Sequence, residues 1–86
     1  MKISVKREHI DNGVALSSTC CPIALACKDA GLKNVWINPL SIHYCLDDSV
    51  CPLFVNRVTL PVEVIKFIAR FDAGEYVTMF SFDLPT

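Results

Sequence analysis

Glycine is scarce in this chain. Three stand among 86 residues, Gly13, Gly31 and Gly74, and no two are close together. A loop that cradles phosphate with its backbone N–H groups needs several glycines at short spacing, so that class of nucleotide site is excluded. No Ser-x-Gly elbow occurs, which removes the strained nucleophile turn of the α/β-hydrolases. Histidine is rarer still. Only His9 and His43 are present, so a Cys–His nucleophilic pair has to use one of them. Neither charge sign is in excess: eight Lys and Arg face nine Asp and Glu, for a formal net charge of -1. A nucleic-acid binder usually carries a basic surplus, and a DNA mimic a large acidic one. Neither pattern is met, and no nucleic acid is expected as partner. No apolar run reaches the ~18 residues that span a bilayer. Met1 to Val5 runs directly into Lys6-Arg7-Glu8, without the apolar stretch of a secretory signal. The expectation is a cytoplasmic protein with no membrane partner.

What the chain has in quantity is apolar side chain. Hydrophobic residues make up 52% and charged residues 20%, against a usual share of about 25% charged. Eighty-six residues suffice for one domain, spanning 1–86. A core this rich leaves apolar surface over for a partner. A second copy of the chain, giving a homodimer, is the plainest occupant.

Two segments open on proline and close on glycine, Pro22 to Gly31 and Pro61 to Gly74. Proline suits the first helical position, where its missing N–H is no loss, and glycine suits the left-handed residue after the last turn. In the first segment Ile23, Ala26, Cys27 and Ala30 recur at helical spacing; in the second Val64, Phe67, Ile68 and Phe71 do. These aromatics read as core. Elsewhere the period is two. Ile3 and Val5 alternate with lysines and serine. Val35 and Ile37 oppose Asn34, Trp36 and Asn38. Ile42, Tyr44 and Leu46 oppose His43 and Cys45. Val50 to Leu60 is a third β-rich run, with Pro52 demoting its start to an edge, and Asp47-Asp48-Ser49 is a turn. Phe80, Phe82 and Leu84 share a face in a last strand drawn from Tyr76 to Leu84. Arg7 to Asn12 is one polar helical turn, on which His9 is expected at the surface. The predicted order is β-α-β-β-β-α-β. It describes an α+β two-layer sandwich, an antiparallel sheet of four to five strands with two helices on one face. The terminal strands either pair with each other or flank the central meander.

Five cysteines remain to be placed: Cys20, Cys21, Cys27, Cys45 and Cys51. Without an export signal, reduced thiols are expected. Cys27, Cys45 and Cys51 then act as small buried hydrophobes. Cys20 and Cys21 precede Pro22 at a helix N-terminus, where free N–H groups and the dipole stabilise a thiolate and lower its pKa. A structural zinc site needs four ligands, usually with two to four residues inside each pair. No such spacing is met, so a site built from Cys20, Cys21, His43 and Cys45 requires the fold to gather them. That cysteine-based metal or redox module is the alternative function. The favoured reading assigns no catalytic residue and no cofactor. His43 reads as a packed or dimer-interface side chain. The sheet residues Trp36, Tyr44 and Arg57 form the expected interaction surface, because aromatics and arginine dominate binding hot spots.

The segments "KISVKREHIDNGV", "CPIALACKDAGLKNVWIN" and "LPVEVIKFIARFDAGEYVTMFSFDLP" resemble small proteins encoded by tailed phages and prophages. The resemblance covers most of the chain, with 41–59 the least matched part. It implies a non-enzymatic accessory protein in the cytoplasm of a host cell. Such a protein acts by binding a host or phage protein, for example as an inhibitor of a host defence system. It carries over no catalytic residue.

Overall fold

The computed structural model describes residues 1–45 and 56–84. It is an α+β fold. The elements run β1 (Lys2–Val5), α1 (Arg7–Asn12), α2 (Pro22–Asp29), β2 (Lys33–Ile37), β3 (Ser41–Cys45), β4 (Asn56–Thr59), α3 (Val62–Asp72) and β5 (Phe80–Asp83). The expected turn at 47–49, the edge role of Pro52, the burial of Cys51 and the stop at Pro85 lie outside the described residues. The last strand is shorter than the alternation suggested, since 76–79 are not paired.

The five strands among the described residues form two sheets. β1 and β5 pair antiparallel, with Ile3 opposite Phe82, and β2-β3-β4 is an antiparallel meander. The terminal strands therefore pair with each other and do not extend the meander. One reason is visible at the free edge of β2. The Ile37 N–H donates to the Ser18 carbonyl at 2.7 Å, so a loop takes the position of a neighbouring strand. A register shift between Lys33 and Trp36, with Asn34 at a left-handed φ of 49°, further distorts that strand.

Both predicted helices end as their glycines require. In α2 the Gly31 N–H reaches Lys28 and the Leu32 N–H reaches Cys27; in α3 Gly74 reaches Phe71 and Glu75 reaches Arg70. These are the paired bonds of a Schellman ending, with Gly31 at φ 102° and Gly74 at φ 78°. At its start α2 has Pro22 in the first turn and Cys21 as N-cap, whose Sγ accepts the Ala24 N–H at 3.5 Å. In α3 the proline lies one position earlier, as the N-cap itself.

α2 sits at the centre, against β1, β2 and α1. Its buried residues Ile23, Ala24, Ala26 and Cys27 join one core with Ile3 and Val5 of β1 and with Val35, Ile37, Ile42 and Tyr44 of the meander. α3 adds Val64, Phe67 and Ile68, and Phe67 lies 4.8 Å from the Phe80 ring of β5. The third glycine serves close approach. A Cβ on Gly13 would stand 2.6 Å from Cγ and Cδ of Pro22 and 2.8 Å from the His9 carbonyl oxygen. Neither a proline ring nor a helical carbonyl yields easily. Gly13→Ala is expected to cost about 2 kcal/mol through overpacking, read as a lower urea midpoint at unchanged m. A cost under about 0.5 kcal/mol would show that α1 and α2 slide apart freely.

Candidate functional site

The outer face of the β2-β3-β4 sheet carries the strongest surface constellation. Directly opposed residues of antiparallel strands share a face, with Cβ atoms about 5 Å apart. Trp36 stands opposite His43, and His43 opposite Arg57. The three side chains therefore form one row across the sheet. Trp36 is 54% exposed, Arg57 is exposed and His43 is half-buried. The Nε2 atom of His43 is screened from solvent and has no hydrogen-bond partner among the described residues. Arg57 makes no ion pair among the described residues; the pairs there are Arg7–Asp11 and His9–Asp29.

Tyr44 does not belong to this surface. It is 1% exposed and lies in the core, and burial raises its phenol pKa. It points inward with Ile42, one residue out of phase with His43. The expected trio thus divides: Trp36 and Arg57 are brought together, Tyr44 is withdrawn, and His43 takes its place. The alternation of "SIHYC" already held that signal, because neighbours on a strand face opposite ways.

The proposed metal ligands Cys20, Cys21, His43 and Cys45 are not gathered. Cys45 is disulfide-bonded, which also corrects the expectation that it is a free buried thiol. Cys20, Cys21 and Cys27 are free. Cys20 is exposed; Cys21 and Cys27 are buried among apolar side chains. The helix N-terminus does not activate Cys21. Burial pushes its thiol up, and the hydrogen bond from Ala24 opposes this only in part. Desolvation wins because the whole charge loses water, whereas the backbone N–H groups at the helix start restore only part of its solvation. The Cys27 thiol is pushed up to about 12, first by burial and then by Cys21.

Among the described residues, the side chains of metal-ligating type that converge are Glu8, His9 and Asp29. Sequence reasoning placed His9 at the surface, yet it is 4% exposed. Its Nδ1 accepts the Lys6 N–H at 2.9 Å, in the manner of a capping box, and its Nε2 lies 2.5 Å from Asp29 Oδ2. Since Nδ1 accepts, the ring proton resides on Nε2 and is donated to the carboxylate. A metal at Nε2 would force that proton to Nδ1, against a backbone N–H. Both nitrogens are committed, so the cluster is a structural lock and neither a metal triad nor a base. Adding equimolar zinc is expected to leave the Lys6 and His9 amide resonances unmoved; zinc-dependent shifts there would refute the lock.

The loop between α1 and α2 is tied on three sides. Leu16, at φ 62°, donates its N–H to Asp72 of α3 at 2.9 Å; Ser18 accepts from Ile37; and Lys28 Nζ donates to the Thr19 carbonyl at 2.5 Å. Beneath it is a cavity of about 160 Å³, bounded by Leu16, Ile37, Ile68 and Asp72, with Cys21 in the wall. Pockets for cofactor-sized ligands run to about 300–1,000 Å³, so this one is too small for such a guest. No helix among the described residues is long and apolar enough to cross a membrane. No family model, curated protein or solved structure matches the chain.

Proposed function

We propose that the chain is a non-enzymatic binding module that engages another protein through the outer face of its three-stranded sheet. The observation that carries this reading is the Trp36–His43–Arg57 row. It sets a half-exposed indole and a guanidinium without an ion pair among the described residues on one sheet face. Such side chains supply large contact area and forked hydrogen bonding, which is why they recur at binding hot spots. The commitment of both His9 nitrogens and the burial of Cys21 support a role without catalysis. The resemblance of the opening, α2 and closing segments to small phage and prophage proteins supports a host-cell setting. There the partner is a host or phage protein, and the outcome is inhibition of a host defence system.

The test is affinity capture from bacterial lysate with the wild-type chain and with a Trp36→Ala/Arg57→Ala variant. Both positions are exposed, so the variant is expected to keep its Tm within about 3 °C, as surface changes usually fall within ±0.5 kcal/mol. A protein held by the wild type and reduced at least tenfold with the variant supports the reading. Equal capture by both overturns it.

A further inference from the structure

Segment 14–20, between α1 and α2, is closed on itself. The Val14 N–H donates to the Cys20 carbonyl at 2.9 Å, and the Cys20 N–H donates to Ser17 Oγ at 3.0 Å. The first bond joins the two ends of the loop and the second braces it from inside, as in a compact Ω-loop. The neck is fixed to α2, because Gly13 is wedged against the Pro22 ring. The tip is held down by two bonds. Leu16 N–H donates to Asp72 Oδ1 at 2.9 Å, and Ile37 N–H donates to the Ser18 carbonyl at 2.7 Å. The Lys28 ammonium, which donates to the Thr19 carbonyl near the neck, sits on a long stem that follows the loop when it moves. Beneath the tip is the cavity of about 160 Å³, with Cys21, Ile37 and Ile68 in its wall.

The bond between Leu16 and Asp72 is kept at a local cost on both sides. Among the described residues, Asn34 and Leu16 are the non-glycine residues with a left-handed φ. Asparagine tolerates that region through local hydrogen bonding, and leucine does not. The Leu16 side chain is 83% exposed, so packing does little to hold it there. Its partner Asp72 is the last residue of α3, where a negative charge opposes the helix dipole. A strained donor held by an unfavourably placed acceptor marks a contact that is balanced near opening.

We propose that loop 14–20 is a strap that lifts as one body about its neck, with the Leu16–Asp72 bond as its latch. Lifting uncovers the Ile37 edge of β2 and the Cys21 thiol, while the helices and both sheets stay in place. The strap does not depend on the sheet-face binding proposed above.

Cys21 reports the opening. Its thiol is buried, as is that of Cys27, whereas Cys20 is exposed. The whole chain carrying Cys20→Ser is labelled with N-ethylmaleimide under native conditions, and the labelled positions are read by fragmentation mass spectrometry. Amide exchange of Leu16 and Ile37 is followed in parallel by NMR. Cys21 is expected to label at least tenfold faster than Cys27, and the two amides to share one opening constant, since one event breaks both bonds. Asp72→Ala is expected to raise the Cys21 rate and both amide rates about fivefold. Cys27 rises less, because removing the charge stabilises α3 against global unfolding but not against lifting of the loop. Leu16→Asn, which accepts the left-handed region, is expected to slow Cys21 labelling about threefold. The proposal is overturned if Cys21 labels no faster than Cys27, if the Leu16 and Ile37 amides exchange independently, or if Asp72→Ala leaves the Cys21 rate unchanged.

Discussion

Replacing His9 by alanine is expected to destabilise the fold by about 3 kcal/mol, the largest effect of any single polar change in this protein. Two losses combine. The Lys6 N–H at the start of α1 loses its acceptor, and the Asp29 carboxylate at the end of α2 loses its donor. An orphaned buried donor costs about 1–3 kcal/mol, and emptying the space of an imidazole adds a cavity term. Asp29 makes matters worse, because a negative charge at a helix C-terminus opposes the dipole unless something holds it. A domain of this size has a total stability of about 4–13 kcal/mol, so the variant is close to the edge. Its thermal midpoint is expected to fall by roughly 15 °C. Glutamine is the informative second variant. A capping box accepts Gln at this position, so His9→Gln restores the Lys6 bond and is expected to recover about half of the loss. Asp29→Ala, which leaves the ring in place, is expected to cost about 1–2 kcal/mol by stranding the Nε2–H. An alanine variant within 1 kcal/mol of wild type in urea unfolding would mean that the ring holds nothing together.

The second large effect is an alkaline one. In the native protein the Cys27 thiol keeps its proton to about 12, whereas its ordinary value is 9.0. A raised native value means that the folded state binds the proton more tightly than the unfolded chain does. The stability that this supplies is complete below pH 9 and is lost as the pH climbs towards 12. The slope from this one group approaches 1.4 kcal/mol per pH unit, or about 2.5 kcal/mol between pH 9 and 11. The Cys21 thiol is displaced in the same direction, again by burial first, and steepens the fall. Urea unfolding at successive pH values from 8 to 11 measures it. Lysines and tyrosines also titrate in that range, so the comparison is with Cys27→Ala. That variant is expected to start about 1 kcal/mol lower, from the small cavity it leaves, and then to lose stability visibly more slowly. Parallel curves for the two proteins would show that the thiol ionises in the fold as it does in water.

Both effects come from residues whose importance was hidden in different ways. His9 lies in "REHIDN", a stretch in which four of six residues are charged or histidine, and nothing local marks it as buried. Its burial depends on Asp29, twenty positions on, and on α1 packing against α2. Cys27 is different: it sits on the apolar stripe of α2 and its place in the core was readable from spacing alone. The size of its displacement was not, because desolvation depends on how completely other elements close over the sulfur. Cys21 shows the same split. Its capping position followed from the adjacent proline, but the sign of its shift reversed once burial was known.

Local chemistry by itself determined where the two long helices stop, since a glycine in the left-handed region closes a helix whatever surrounds it, and which residues of each strand share a side, since pleating alternates them. It thereby put His43 on the face away from Tyr44. Tertiary structure alone decided that five strands divide into two sheets, that a loop occupies the edge of β2, that Cys45 is bonded and that Trp36, His43 and Arg57 line up in one row. Each of these turns on which distant segments meet, and a hydrogen bond or a cross-strand pair exists only once the chain has brought its two halves together.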